Sequence, residues 1–112
     1  MGNRVILRDH RTATDSRHLT ATLEPDGALR IEGHDLGDGV EQALGAGIRE
    51  YEWKTEVSAA DIPRLVRALD PTRDDANILD AIRATCVADP AKLEATIRSA
   101  GITPTFWSRM GD

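Results

Sequence analysis

The sequence predicts an α+β fold, an antiparallel sheet of about four to five strands with three main helices packed on one of its faces. Three observations lead there. Apolar residues alternate at period two in residues 18–24 and 50–57, a Glu24-Pro25-Asp26-Gly27 turn joins neighbouring strand-like runs, and from Ile62 onward the apolar spacing changes to i, i+3, i+4 and i+7. A chain of 112 residues, 40% hydrophobic and 29% charged, has the size and composition of one globular domain, and residues 1–112 are read as that single domain.

Val5, Ile6 and Leu7 make a first strand over residues 4–9, which the Thr, Ser, Arg and Asp cluster of residues 10–17 is expected to break. In a second strand, residues 18–24, Leu19, Ala21 and Leu23 share one side against Thr20 and Thr22. Pro25 presets φ for a tight turn and Gly27 accepts the positive φ that closes it. The chain should therefore reverse directly into a third strand, residues 28–33, with Leu29 and Ile31 inward. Asp38 is placed to cap a short helix carrying Val40, Ala43 and Leu44, which Gly45 to Gly47 end. In residues 50–57, Tyr51, Trp53, Thr55 and Val57 alternate with Glu50, Glu52, Lys54 and Glu56, so the aromatic side is expected in the core and the charged side in solvent.

Ile62, Leu65, Val66 and Leu69 then form the stripe of an amphipathic helix. Its cap is Ser58 or Asp61, and Pro63 sits more comfortably in the first turn if Asp61 is the cap. Asp70-Pro71 ends that helix, and Asp74 and Asp75 suit the positive end of the next, which buries Ile78, Leu79, Ile82 and Cys86. Asp89 caps a third with Pro90 at the first helical position, Leu93 and Ile97 as its stripe and Gly101 as its left-handed end. Residues 102–108 read as a last strand, which Pro104 confines to an edge.

Charge is distributed unevenly. Residues 20–62 hold ten acidic and three basic groups, whereas the chain as a whole carries −5. An acidic middle repels phosphate backbones and attracts cationic proteins, so no nucleic-acid partner is expected and a basic protein partner is. The lone Cys86 cannot form an internal disulfide, which fits a reducing, cytoplasmic setting. Only three consecutive apolar residues precede the first charge after Arg4, so neither a signal-peptide core nor membrane association is expected.

Among sites with chemistry, the sharpest is a cluster of His34, Asp35, Asp38, Glu50 and Glu52, whose imidazole and carboxylates are of the type that hold zinc, manganese or iron. The spacing argues against it, because the histidines stand at 10, 18 and 34 and form neither H-x-H nor H-x-x-x-H. Accordingly no metal ligand, catalytic residue or cofactor is assigned. Cys86 lies in an apolar helical stripe, where a buried inert thiol is expected, and Gly37-Asp38-Gly39 and Gly45-Ala46-Gly47 lack the further residues of a phosphate cradle. Trp53 is expected in the core, and Trp107 is open to either core or interface duty.

The segments Ile31-Glu32-Gly33-His34-Asp35-Leu36-Gly37, Glu50-Tyr51-Glu52-Trp53, Asp61-Ile62-Pro63-Arg64-Leu65 and Gly101-Ile102 through Phe106-Trp107-Ser108 look similar to those of an uncharacterised family of small bacterial proteins. Proteins of this size and organisation often act as immunity proteins beside secreted toxins. The resemblance implies a binding protein and brings no catalytic residue with it. The expectation is a non-enzymatic protein-binding module that docks a basic, toxin-like partner through Glu32, Asp35, Asp38, Glu50, Glu52, Glu56 and Trp107. Two alternatives stand beside it: a small metal-assisted hydrolase centred on His34 and Asp35, and an edge-strand homo-oligomer with a structural role, so monomer and homodimer both remain open.

Overall fold

The computed structural model describes residues 3–72 and 77–111. Five strands, β1 (Arg4–Arg11), β2 (Asp15–Leu23), β3 (Leu29–Gly37), β4 (Glu50–Val57) and β5 (Thr105–Gly111), form one sheet in the order β1-β2-β3-β4-β5. Every neighbouring pair is antiparallel. Among the described residues four helices accompany them: α1 (Asp38–Leu44) between β3 and β4, then α2 (Ile62–Leu69), α3 (Ile78–Thr85) and α4 (Ala91–Ser99) before β5. The architecture is thus the expected α+β, with one short helix beyond the three main ones.

The core lies between one sheet face and α2, α3 and α4. Val5, Leu7, Leu19, Ala21, Leu29, Ile31 and Val57 from the sheet meet Leu65, Val66, Leu69, Ile78, Leu79, Ile82, Leu93 and Ile97 from the helices. Leu29, Ile31, Leu65 and Ile82 are fully buried, and each such side chain contributes about 1.5–3 kcal/mol of transfer free energy. Cys86 is buried in the same cluster, where desolvation pushes its thiol pKa up, as an inert core cysteine requires. Helices α2, α3 and α4 cover the part of the sheet that carries these residues, and α1 lies against β3 and β4, in a molecule 46 × 26 × 24 Å.

Three strands are longer than their local patterns predict. The polar cluster of residues 10–17 does not break β1; it continues the strand to Arg11 and turns into β2 at Asp15. The Thr12 hydroxyl accepts hydrogen bonds from the amides of Thr14 (3.3 Å) and Asp15 (3.0 Å), and the Thr12 amide donates to the Asp15 carbonyl (2.8 Å). β3 runs through His34 to Gly37 instead of stopping at Gly33. Gly33 is required there by Trp53, whose ring lies across it from β4: a Cβ at position 33 would come within 2.0 Å of the Trp53 ring. Trp53 is consequently half-buried against the core and stacks on Tyr51 at 5.2 Å between centroids.

Helix boundaries follow the caps closely. Asp38 opens α1 from inside the helix; the capping carboxylate comes from β2, where Asp15 Oδ1 accepts the Gly39 amide at 2.7 Å. This bond, with the Thr14 hydroxyl, holds the Asp15 pKa below the ordinary carboxylate value. Asp61 occupies the cap position of α2 with Pro63 in its first turn, following a 3-10 turn at Ala59–Asp61. Asn77 caps α3, its side chain accepting from the Leu79 amide at 2.7 Å, while the expected contribution of Asp74 and Asp75 lies outside the described residues. Helix α4 starts one residue later than expected, with Pro90 as the cap, and ends as expected at Gly101 with φ 74°. The last strand is shifted to Thr105–Gly111, past Pro104.

Candidate functional site

Antiparallel register with period-two side chains sorts the sheet into two faces. One packs on the helices. The other is uncovered, and register places its residues in cross-sheet rows: Asp9, His18, His34, Glu52 and Arg109; then Ile6, Thr20, Glu32, Lys54 and Trp107; then Arg4, Thr22, Arg30, Glu56 and Thr105. Leu36 and Glu50 share a further row with Ser16. Five of the seven predicted site residues, Glu32, Glu50, Glu52, Glu56 and Trp107, therefore share this face.

Asp35 and Asp38 do not join them. Asp35 follows His34 on the strand and so points to the helix side, where its Oδ2 lies 3.6 Å from Arg17 Nε. Its other oxygen, Oδ1, is buried without a hydrogen-bond partner among the described residues, at the edge of a cleft of about 380 Å³ walled by Val40, Ala43, Leu44 and Tyr51. Asp38 is engaged by Arg49 Nη1 at 2.8 Å, an ion pair that raises the Arg49 pKa and ties α1 to the segment before β4. His34 and Asp35 thus lie on opposite faces, so the pair at the centre of the hydrolase alternative does not converge.

On the uncovered face a different group does converge. His34 Nε2 shares a hydrogen bond with Glu50 Oε2 at 2.9 Å and lies 3.7 Å from Glu52 Oε1. Arg109, from the far end of the chain, donates from Nη2 to both Glu50 Oε1 (3.0 Å) and Glu52 Oε1 (2.5 Å). The Arg109 hydrogen bond holds the Glu52 carboxyl below the ordinary glutamate range and raises the pKa of Arg109 in turn. The donor atoms of His34, Glu50 and Glu52 lie within 4.8 Å of one another, a nitrogen and two carboxylates of the kind that suit a divalent cation, with Arg109 supplying the positive charge in this structure.

The neighbouring row forms a shallow depression of about 320 Å³ bordered by Thr20, Glu32, His34, Glu52, Lys54 and Trp107. Lys54 Nζ stands over the Trp107 ring at 5.9 Å, a cation–π contact at the strand edge. Arg30 pairs with both Glu24 and Glu32. The face is therefore a lattice of alternating charges, with Asp9, Glu32, Glu50, Glu52 and Glu56 among Arg4, Arg30, Lys54 and Arg109.

Two features escaped the local sequence patterns. One is Arg109, which reaches Glu50 and Glu52 only through the β4–β5 register. The other is the cross-strand pairing of His18 with His34, which the Pro25-Asp26 turn fixes: a turn that sets Leu23 opposite Leu29 also sets His18 opposite His34. No helix among the described residues is long and apolar enough to cross a membrane. Comparison with protein-family models, with curated proteins and with solved structures gives no match.

Proposed function

We propose that this protein is a non-enzymatic protein-binding module that docks a basic partner on the uncovered sheet face, in the manner of an immunity protein held in the cytoplasm. The observation that supports this reading is the collection of Glu32, Glu50, Glu52, Glu56 and Trp107 on the one face that no helix covers. The carboxylates of Glu50 and Glu52 are already ordered by Arg109, so a lysine or arginine from a partner meets a preformed pair of acceptors in place of mobile side chains. The chain's net charge of −5 adds long-range attraction, and Trp107 supplies an aromatic anchor. The mechanism is steering and occlusion, not bond chemistry.

The test is capture of a basic protein from lysate of the source organism on immobilised wild-type protein and on a Glu50→Gln/Glu52→Gln/Glu56→Gln variant, each at low and high salt. A partner held by the wild type at low salt and released both by salt and by the variant supports the reading. Equal retention on both proteins at both salts refutes it.

The cation-type donor set of His34, Glu50 and Glu52 favours a second reading, metal-assisted hydrolysis, in which Asp35 has no part. Titration calorimetry with zinc or manganese decides it: micromolar uptake lost in His34→Ala supports a metal centre, and no heat removes it.

A further inference from the structure

The two edges of the sheet are built differently. Along β1 the pairing with β2 is broken by a bulge between Ile6 and Arg8, and Arg4, Arg8, Asp9 and Arg11 line the strand. Bulges and charges are the usual devices that keep an edge from pairing with another chain. β5 is less protected. It pairs with β4 in unbroken register from Thr105 to Gly111 and carries one charge, Arg109, alongside Phe106 (62% exposed), Trp107 (48%) and Met110 (58%). Its outer backbone groups have no neighbouring strand among the described residues.

We propose that β5 pairs antiparallel with the β5 of a second copy of this chain, joining two five-stranded sheets into one of ten strands around a two-fold axis. Such an axis keeps each residue on its own face in both copies, and full overlap of the seven residues then places Ser108 opposite itself. Phe106 falls opposite Met110 of the second copy and Trp107 opposite Arg109 of the second copy. The first pair sets an aromatic ring beside a thioether on the helix side, and the second sets the Trp107 indole beside the aliphatic stem of an Arg109 whose guanidinium stays with Glu50 and Glu52 on the uncovered side. No like charges meet across the seam, because Arg109 is the only charged residue of β5. A shallow apolar groove of about 270 Å³ between α4 and β5, bordered by Ile97, Ile102, Pro104 and Phe106, lies beside the position that Met110 of the second copy takes.

The inference stands independently of the basic-partner reading, since it needs only the purified chain. Sedimentation of the wild type over a range of concentrations should show a species of twice the 12.2 kDa chain mass. Phe106→Lys, at an exposed position that folding does not require, should weaken that association about tenfold. The register is read separately: Ser108→Cys should cross-link to itself on mild oxidation on the order of tenfold faster than Trp107→Cys, because only position 108 faces its own copy within disulfide reach. A monomer at every concentration overturns the pairing, and a dimer in which both cysteine variants cross-link equally fast overturns this register.

Discussion

The central strand β3 and the edge strand β5 spend their apolar residues in opposite ways. Leu29 and Ile31 on β3 are fully buried between the sheet and the helices, whereas Phe106, Trp107 and Met110 on β5 stand half-exposed or more. Burial on β3 is what the fold needs, because the hydrophobic term scales with area removed from water. The apolar residues of β5 contribute little of that. The same division runs through the polar groups: where the core ends, His34, Glu50, Glu52 and Arg109 replace packing with hydrogen bonds and ion pairs on a solvated sheet surface.

Substitution in the buried part of β3 should cost the most. Ile31→Ala should destabilise the fold by about 3 kcal/mol in urea titration, since it empties a fully buried site beneath the helices. Gly33→Ala should cost roughly 2 kcal/mol and move the Trp53 fluorescence maximum to the red, because the new methyl group occupies the space of the indole. A loss of stability without a spectral change would show that Trp53 does not lie across Gly33.

Electrostatics of the uncovered face should register more weakly and with a definite sign. The folded-state pKa of Glu52 is below its ordinary value of 4.5, so the unfolded chain binds the proton more readily. The contribution is therefore complete above that value and is lost as pH falls through the lowered folded pKa. Denaturant titrations across the acid range should show this loss, and Arg109→Ala should flatten the profile, as Arg109 is the main cause of the shift. The smallest effect belongs to β5 itself: Phe106→Ser, measured at a concentration where the chain is monomeric, should change stability by less than about 0.5 kcal/mol. A loss comparable to that of Ile31→Ala would mean that β5 belongs to the folding core after all.

The architecture was legible in the sequence wherever one face is buried. The alternation of Leu19, Ala21 and Leu23, the stripe from Ile62 to Leu69 and the Pro25-Asp26 turn each report a side that must avoid water. Beyond the main core the alternation of apolar and polar residues is lost, which is why residues 10–11, 15–17 and 34–37 read as loop although they are strand. Gly33 and His34 reinforced that misreading, since the reason for a glycine in mid-strand is an indole twenty residues away. The site divided along the same line. The grouping of Glu50, Glu52 and Glu56 followed from parity on one strand, whereas the separation of Asp35 from His34 needed β3 to continue, and Arg109 needed the last strand's register. The capping role expected of Asp38 passed to Asp15 across a tertiary contact that no local spacing reports.

On the proposed function, the uncovered sheet face is the docking surface. Nuclear magnetic resonance mapping of the labelled protein with its captured basic partner, at low and at high salt, tests this most directly. The prediction is that amide shifts concentrate on residues 32–36, 50–56 and 105–110 and fade as salt rises. Shifts confined to the outer surfaces of α2, α3 and α4, unchanged by salt, would contradict it.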